Sequence, residues 1–160
     1  MRRRVRMRSV IQRVESATLH VVDESGSRSE HAQIRAGLVV LLGVAIDDTD
    51  KDALWTAGKV AHMRIFEDDQ QKMNLGALDC SPTGQVLVVP NFTVAGNAQK
   101  GRRPDFMSAM KPPEAESMFN RVCDLIANEG LEVRRGVFGG DMRVELVNDG
   151  PITIVIESPS

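Results

Sequence analysis

Two segments place reactive or geometrically special residues at the end of an apolar run, where a strand interior would not keep them. The first is Val89-Pro90-Asn91-Phe92-Thr93-Val94. Pro90 has no amide hydrogen to give a sheet and restricts the residue before it, so the backbone after Val89 is expected to leave the sheet and expose its amides. Exposed amides beside the Thr93 hydroxyl are what an ester-cleaving site needs to hold the oxyanion of a tetrahedral intermediate. The same residues also suit a plain strand exit in which Asn91 stabilises a turn. The second segment is Leu146-Val147-Asn148-Asp149-Gly150-Pro151-Ile152-Thr153, a Gly-Pro pair between two apolar runs. Asn-Asp-Gly is hairpin-turn chemistry. A cis Gly150-Pro151 bond is the other reading, and because only about 5 to 6% of X-Pro bonds in folded proteins are cis, local sequence does not choose between them.

Other chemistries find less support. None of His20, His31 and His62 stands in a recognisable nucleophile motif, so a serine-histidine-acid or cysteine-histidine site is disfavoured. The histidines also lack the close pairing of a zinc site, and no acidic cluster replaces them, so no metal and no cofactor is expected. Cys80 and Cys123 are far apart without CxxC spacing, which argues against a disulfide framework. Lys100, Arg102 and Arg103 form a short basic loop that is able to meet a phosphate backbone, or is simply solvated.

The elements that must position these residues follow from periodicity. Val10 to Val22 and Ala32 to Ile46 read as a two-strand unit around the turn-forming Asp23 to Ser27. Asp47 to Asp50 supply cap-type side chains before Leu54, Ala57, Ala61 and Ile65, predicting a helix from about Asp50 to Arg64. A polar loop from Glu67 leads to the buried-type strand Gln85 to Val89. Pro112-Pro113 opens a second helix whose Ala115, Met118, Phe119, Val122, Leu125 and Ile126 make one stripe, and Gly130 stops it. From Leu131 to Glu157, strand-like runs alternate with breaks at Gly136, Gly139-Gly140 and Asn148 to Pro151. Strands thus outnumber helices and do not alternate with them as in a doubly wound sheet. The expected fold is α+β, a curved, mostly antiparallel, barrel-like sheet with two main helices.

A chain of 160 residues implies one domain. Its hydrophobic fraction of 42% with mixed charges is that of a globular protein, not a disordered one. With a net charge of -2, any nucleic-acid binding needs a local positive field. No apolar run reaches membrane-span length and no signal-peptide core opens the chain, so a cytoplasmic address without membrane contact is expected. Met1 to Arg6 carry four arginines before Met7. They read as a disordered or mis-started extension, or as a basic arm toward phosphate.

Together, Val10-Ile11-Gln12-Arg13-Val14, Asn91-Phe92-Thr93-Val94, Gly101-Arg102-Arg103-Pro104-Asp105-Phe106 and Leu146 to Thr153 resemble the D-aminoacyl-tRNA deacylase family, in family order from about Met7 to Glu157. The resemblance implies a homodimer acting on aminoacyl-tRNA, with each site at the subunit interface. Gly150 and Pro151, as a Gly-cis-Pro pair, would enter the partner's pocket, hold the substrate's amino group and leave no room for an L side chain. Exclusion of this kind is an overpacking effect worth roughly 1 to 3 kcal/mol or more. Glycine, having no side chain, would escape it. The resemblance gives Gln12 and Arg13 a supporting role and Lys100, Arg102 and Arg103 a role in tRNA binding. The family's usual Ser-Gln-Phe-Thr is Pro90-Asn91-Phe92-Thr93 here, which loses a hydroxyl and a backbone donor and shortens an amide. Thr93 is either a nucleophile or a bystander to catalysis by the ribose 2′-hydroxyl of the tRNA. The second is preferred because Thr93 has no evident base and the ribose hydroxyl already neighbours the ester. A catalytically impaired tRNA-binding homologue and a relaxed-chirality deacylase of L-alanyl-tRNA are the alternatives.

Overall fold

The computed structural model describes residues 4–159, and its hub is the fifteen-residue strand β1 (Arg8–Val22). One edge of β1 is shared in turn by two strands, both antiparallel to it. Residues Arg8 to Val14 pair with β3 (Gly37–Gly43) and Ala17 to Val22 with β2 (Arg28–Ile34). The last strand, β8 (Met142–Glu157), runs antiparallel along the other edge. Beyond β3 the sheet continues in parallel through β6 (Gln85–Pro90) to β7 (Glu132–Arg135), which approaches β2 and nearly closes a barrel. The sheet is therefore mixed. Its parallel neighbours are joined through α1 (Asp50–His62) and α2 (Glu114–Asn128), because parallel strands need a long crossover. A short ribbon, β4 (Phe66–Glu67) with β5 (Met73–Leu75), interrupts the loop expected from Glu67 onward. Among the described residues no helix is long and apolar enough to cross a membrane.

Both helices lie where periodicity predicts them. The Asp52 carboxylate accepts the Thr49 amide at 2.8 Å at the start of α1, and Asp50 and Asp52 place negative charge at that end. Helix α2 buries Ala115, Phe119, Val122, Cys123 and Ile126, and Gly130 ends it with φ +110°. The apolar run Ala32 to Ile46, expected as one strand, is two. The chain turns at Arg35-Ala36 so that Gly37 can pass against β6, where an added Cβ would lie 1.8 Å from the Gln85 carbonyl oxygen. The Asn148 to Pro151 segment, expected to break the chain or turn a hairpin, does neither, since β8 runs through it.

Strands β3 and β6 are apolar at successive positions because both their faces are buried. Leu38, Val40, Leu42, Val86 and Val88 pack toward the helices with Ala53, Val60, Phe119 and Val122. Val39, Leu87 and Val89 face the other way, into a core shared with Val14, Ala17 and Leu19 of β1. The long pair β1 and β8 serves both. Its Ile11, Ile152, Ile154 and Ile156 end lines the helix-side core, and its Leu19, Val144 and Leu146 end lines the inner one. The change of side coincides with register shifts around Val14, where residues 149–152 bulge from β8.

Of the expected extension Met1 to Arg6, residues 1–3 lie outside the described residues. Arg4 pairs with Asp47 at 3.0 Å and Arg6 with Asp52 at 3.6 Å, so both turn back on the protein. Met7 is buried, and its amide donates to Asp48 Oδ1 at 2.9 Å. Asp48 Oδ2 accepts the Ala45 amide. Burial pushes the Asp48 carboxyl up to about 6, against the pull of those two amides. The chain end closes over the same place: Ser158 donates its amide to the Met7 carbonyl at 2.9 Å and its hydroxyl to Asp52 Oδ1 at 2.6 Å.

Candidate active site

At the end of β6 the backbone leaves the sheet as Pro90 requires. Pro90 stands opposite Leu42, the Asn91 amide donates to the Leu42 carbonyl at 2.9 Å, and Phe92–Ala95 form a single 3-10 turn. Gly43 makes room for it, since a Cβ there would sit 2.6 Å from the Ala95 nitrogen. Within the turn the Val94 amide donates to the Asn91 carbonyl and the Gly96 amide to the Thr93 carbonyl. The Phe92 and Thr93 amides, which open it, meet no acceptor among the described residues. Thr93 donates its hydroxyl to Asn91 Oδ1 at 2.5 Å. A neutral carboxamide oxygen cannot take that proton away, and among the described residues no basic side chain hydrogen-bonds to Thr93. Arg8, which the sequence reading passed over, holds the turn through the Val94 carbonyl at 3.3 Å while pairing with Glu157. The exposed Phe92 ring borders a narrow apolar cleft that reaches Leu42, Phe119 and Phe138.

The second segment is a bulge fastened from behind. Gly150 and Pro151 are exposed, the bond between them is cis, and Gly150 adopts φ +139°. Asn148 closes the base by accepting the Ile152 amide at 2.8 Å and donating to the Ile152 carbonyl at 3.2 Å. Arg13, only 5% exposed, donates to the Asp149 carbonyl at 3.2 Å and the Ile65 carbonyl at 2.7 Å. It also meets the Asp149 and Glu67 carboxylates at 3.3 and 3.7 Å. Gln12 reaches Thr153 Oγ1 at 3.4 Å. Gln12 and Arg13 thus stand beside Gly150 and Pro151, while Asn148 and the Ile65 carbonyl join a cluster that sequence reasoning had not assembled.

Lys100, Arg102 and Arg103 stand exposed on the loop that follows the 3-10 turn. That loop returns to the site through Phe106, whose ring lies 5.3 Å from Phe92 in an edge-on contact. The structure therefore assembles two groups, one around Phe92 and one around Gly150. Among the described residues no hydrogen bond, ion pair or ring contact joins one group to the other. The first is held by Arg8 and the second by Arg13, whose backbones lie five residues, roughly 16 Å, apart along β1. Among the described residues no grouping of His, Cys, Asp or Glu could hold a metal ion.

Comparison with known proteins decides the family. The model of the D-Tyr-tRNA(Tyr) deacylase family matches residues 10–157, spanning both groups. The chain belongs to this family. It is 46% identical over 153 residues to a D-aminoacyl-tRNA deacylase of Myxococcus xanthus, covering 96% of this chain and 95% of that one. A D-aminoacyl-tRNA deacylase of Geobacter sulfurreducens is 45% identical over 154 residues, with 96% and 97% covered. Among solved structures, a c-Myc DNA unwinding element binding protein superposes with a TM-score of 0.85 at 33% identity, covering 96% of this chain and 99% of that one. A probable eukaryotic D-amino acid tRNA deacylase shares the fold at a TM-score of 0.78 and 17% identity, with 95% and 99% covered. Membership of the D-Tyr-tRNA(Tyr) deacylase family accounts for the order of the four sequence segments.

Proposed function

We propose that this protein hydrolyses the ester bond of D-aminoacyl-tRNA in the cytoplasm, releasing free tRNA and the D-amino acid. The observation that carries the proposal is the pair of unshared amides at Phe92 and Thr93, beside an exposed aromatic ring, in a member of a deacylase family. Two such donors aimed at a carbonyl oxygen stabilise the charge that develops when water adds to the ester carbon. The ribose oxygen then leaves and takes up a proton. The neighbouring 2′-hydroxyl of the terminal ribose supplies the proximity that Thr93, bonded to Asn91, does not. The exposed Phe92 ring offers a face on which the terminal base can stack.

Two copies are needed for one site in this reading. The Gly150-Pro151 bulge of one subunit enters beside the Phe92 turn of the other and sterically excludes an L side chain. The anchoring of the two groups by arginines roughly 16 Å apart along β1, with no contact joining the groups among the described residues, supports it. Glycyl-tRNA, lacking a side chain to exclude, is then also a substrate. Incubation with D-tyrosyl-, L-tyrosyl- and glycyl-tRNA, together with sedimentation at micromolar concentration, tests the proposal. Loss of the D and glycyl esters, survival of the L ester and a dimeric mass are expected. A bound but intact D-tyrosyl ester would instead mark a binding module in which Pro90 and Asn91 have disabled hydrolysis. Efficient cleavage of L-alanyl-tRNA would mark relaxed chirality.

A further inference from the structure

Arg8 ties the turn after β6 to a row of residues that crosses three strands. In β1 it stands directly opposite Glu157 of β8 on one side and Gly43 of β3 on the other. Residues paired in this way carry their side chains on one face of the sheet, so the Arg8 and Glu157 side chains rise beside a position where Gly43 has none. The Phe92–Ala95 turn lies over that gap. A Cβ on Gly43 would meet the Ala95 nitrogen at 2.6 Å and the Val94 carbonyl carbon at 3.0 Å. The Arg8 guanidinium donates through Nε and Nη2 to Glu157 Oε2 at 3.3 and 3.1 Å, and through Nη1 to the Val94 carbonyl at 3.3 Å.

Both ends of this strut are defined. One residue beyond Glu157, the Ser158 amide donates to the Met7 carbonyl and the Ser158 hydroxyl to Asp52, which fixes the end of β8 against the start of β1. The side chains of Arg8 and Glu157 are 28% and 22% exposed, against 45% and 57% for the pair of Arg121 and Asp50, so water screens the first pair less. The turn itself is only four residues long, and the hydrogen bonds of a 3-10 turn are poorly aligned. A cation on one of its last carbonyls supplies a hold that so short a turn lacks.

We propose that Arg8 is a positioning residue for ester hydrolysis, which sets the direction of the Phe92 and Thr93 amides through the Val94 carbonyl and does not itself touch the substrate. The inference rests on the deacylase reading above and deepens it. Amide donors stabilise an oxyanion only when they already point to where the charge will develop. A displacement of about 1 Å costs on the order of a hundredfold in rate. Glu157 takes two N–H groups of the guanidinium and leaves a third aimed at the turn. That division needs the planar fork of arginine, which the single ammonium of lysine does not reproduce.

The test compares R8M and R8K with the parent, and uses R121M as a control that loses an exposed ion pair between the two helices. On D-tyrosyl-tRNA, kcat of R8M should fall by about tenfold to hundredfold with KM within about twofold, the pattern of an interaction realised only in the transition state. R8K should lie between R8M and the parent, and R121M should keep the parental kcat. Uncharged tRNA, followed by fluorescence anisotropy, should bind R8M with parental affinity. In amide nitrogen–proton NMR spectra the Phe92, Thr93 and Val94 signals should move in R8M while those of Val122 and Ile126 in α2 stay in place. A parental kcat in R8M, unmoved turn signals, or an equal fall of kcat in R121M would overturn the inference. If R8M does not fold, R8K with parental kcat and parental turn signals overturns it. A parent that leaves D-tyrosyl-tRNA intact would overturn the deacylase reading, while the turn signals would still decide whether Arg8 sets the turn.

Discussion

Arg13 donates to the backbone carbonyl of Asp149 across 136 positions of sequence, and this bond fastens the bulge of the last strand to the middle of the first. The same guanidinium reaches the Ile65 carbonyl, so one buried cation joins β1, β8 and the segment after α1. Hydrogen bonds to a charged group contribute about 1.5 to 3 kcal/mol, and breaking them leaves buried carbonyls unpaired. Arg13→Ala should therefore lower stability by about 3 kcal/mol, read as a shift of the urea midpoint at constant slope. In the same variant the ratio of D- to L-tyrosyl-tRNA hydrolysis should fall at least tenfold. A variant that keeps the parental ratio would detach the bulge from substrate selection.

Asp48 gives the stability an unusual pH dependence. Its carboxyl titrates near 6 in the folded protein, above its ordinary value of 3.8, because burial disfavours the charge. The folded state therefore holds the proton more tightly than the unfolded one between about pH 4 and 6. Stability should fall as pH rises through that window, by on the order of 3 kcal/mol in total from this group. Asp52 acts in the opposite sense, since the bonds from Ser158 and Thr49 and the charge of Arg6 outweigh its burial and hold it low. Its contribution is lost only as pH drops below about 4. Asp48→Asn should flatten the pH 4 to 6 slope in denaturant titrations. It should also cost about 1 to 3 kcal/mol, because one of the two amides loses its acceptor.

Two glycines should respond in opposite directions to alanine. Gly58 lies inside α1 with nothing within 4 Å of an added Cβ, so Gly58→Ala should stabilise by about 0.5 to 1 kcal/mol. At Gly37 the same change drives a carbon into the Gln85 backbone. That variant should not reach the folded state in soluble form, as judged by circular dichroism and gel filtration.

The two thiols should be slow to react in the native protein. Burial pushes Cys123 up to about 12 and, with the Asp79 charge, raises Cys80. Since the thiolate is the reactive form, alkylation at pH 8 should label Cys80 slowly and Cys123 only on unfolding. Mass spectrometry of timed iodoacetamide reactions measures both rates.

Thr93→Ala should retain kcat within about tenfold on D-tyrosyl-tRNA. It removes a side-chain bond to Asn91 and leaves both amides of the turn in place. Complete loss of turnover with unchanged tRNA binding would make the hydroxyl itself the nucleophile.

Particular residues explain what could be read in advance. Helix α2 was legible because Ala115, Phe119, Val122 and Ile126 recur with its period and only one side is buried. The turn at Arg35-Ala36 was hidden because strands buried on both faces, such as β3, carry no alternation to mark where they begin. At Asn148 to Pro151 strong turn residues lost to the pairing with β1, and Asn148 satisfied the bulge from within. On the site, Pro90 announced the exit of the chain and the amides that follow it. The work of Arg13 was invisible because its carbonyl partners come from Ile65 and Asp149, far away in sequence.

The amide of Ser158 rests on the carbonyl of Met7, beside the long pair of β1 and β8. On a ribosome, the first strand must wait with one side bare until nearly all the remaining chain has been made. A product truncated before Asp149 would lack the bulge and the Asp149 carbonyl that Arg13 grips, and on the proposed reading it would lack the element that excludes an L side chain. Contacts so distant in sequence also slow folding. Joining the two ends by a short linker and opening the chain at the exposed turn near Gly26 should shorten that wait while leaving the barrel intact.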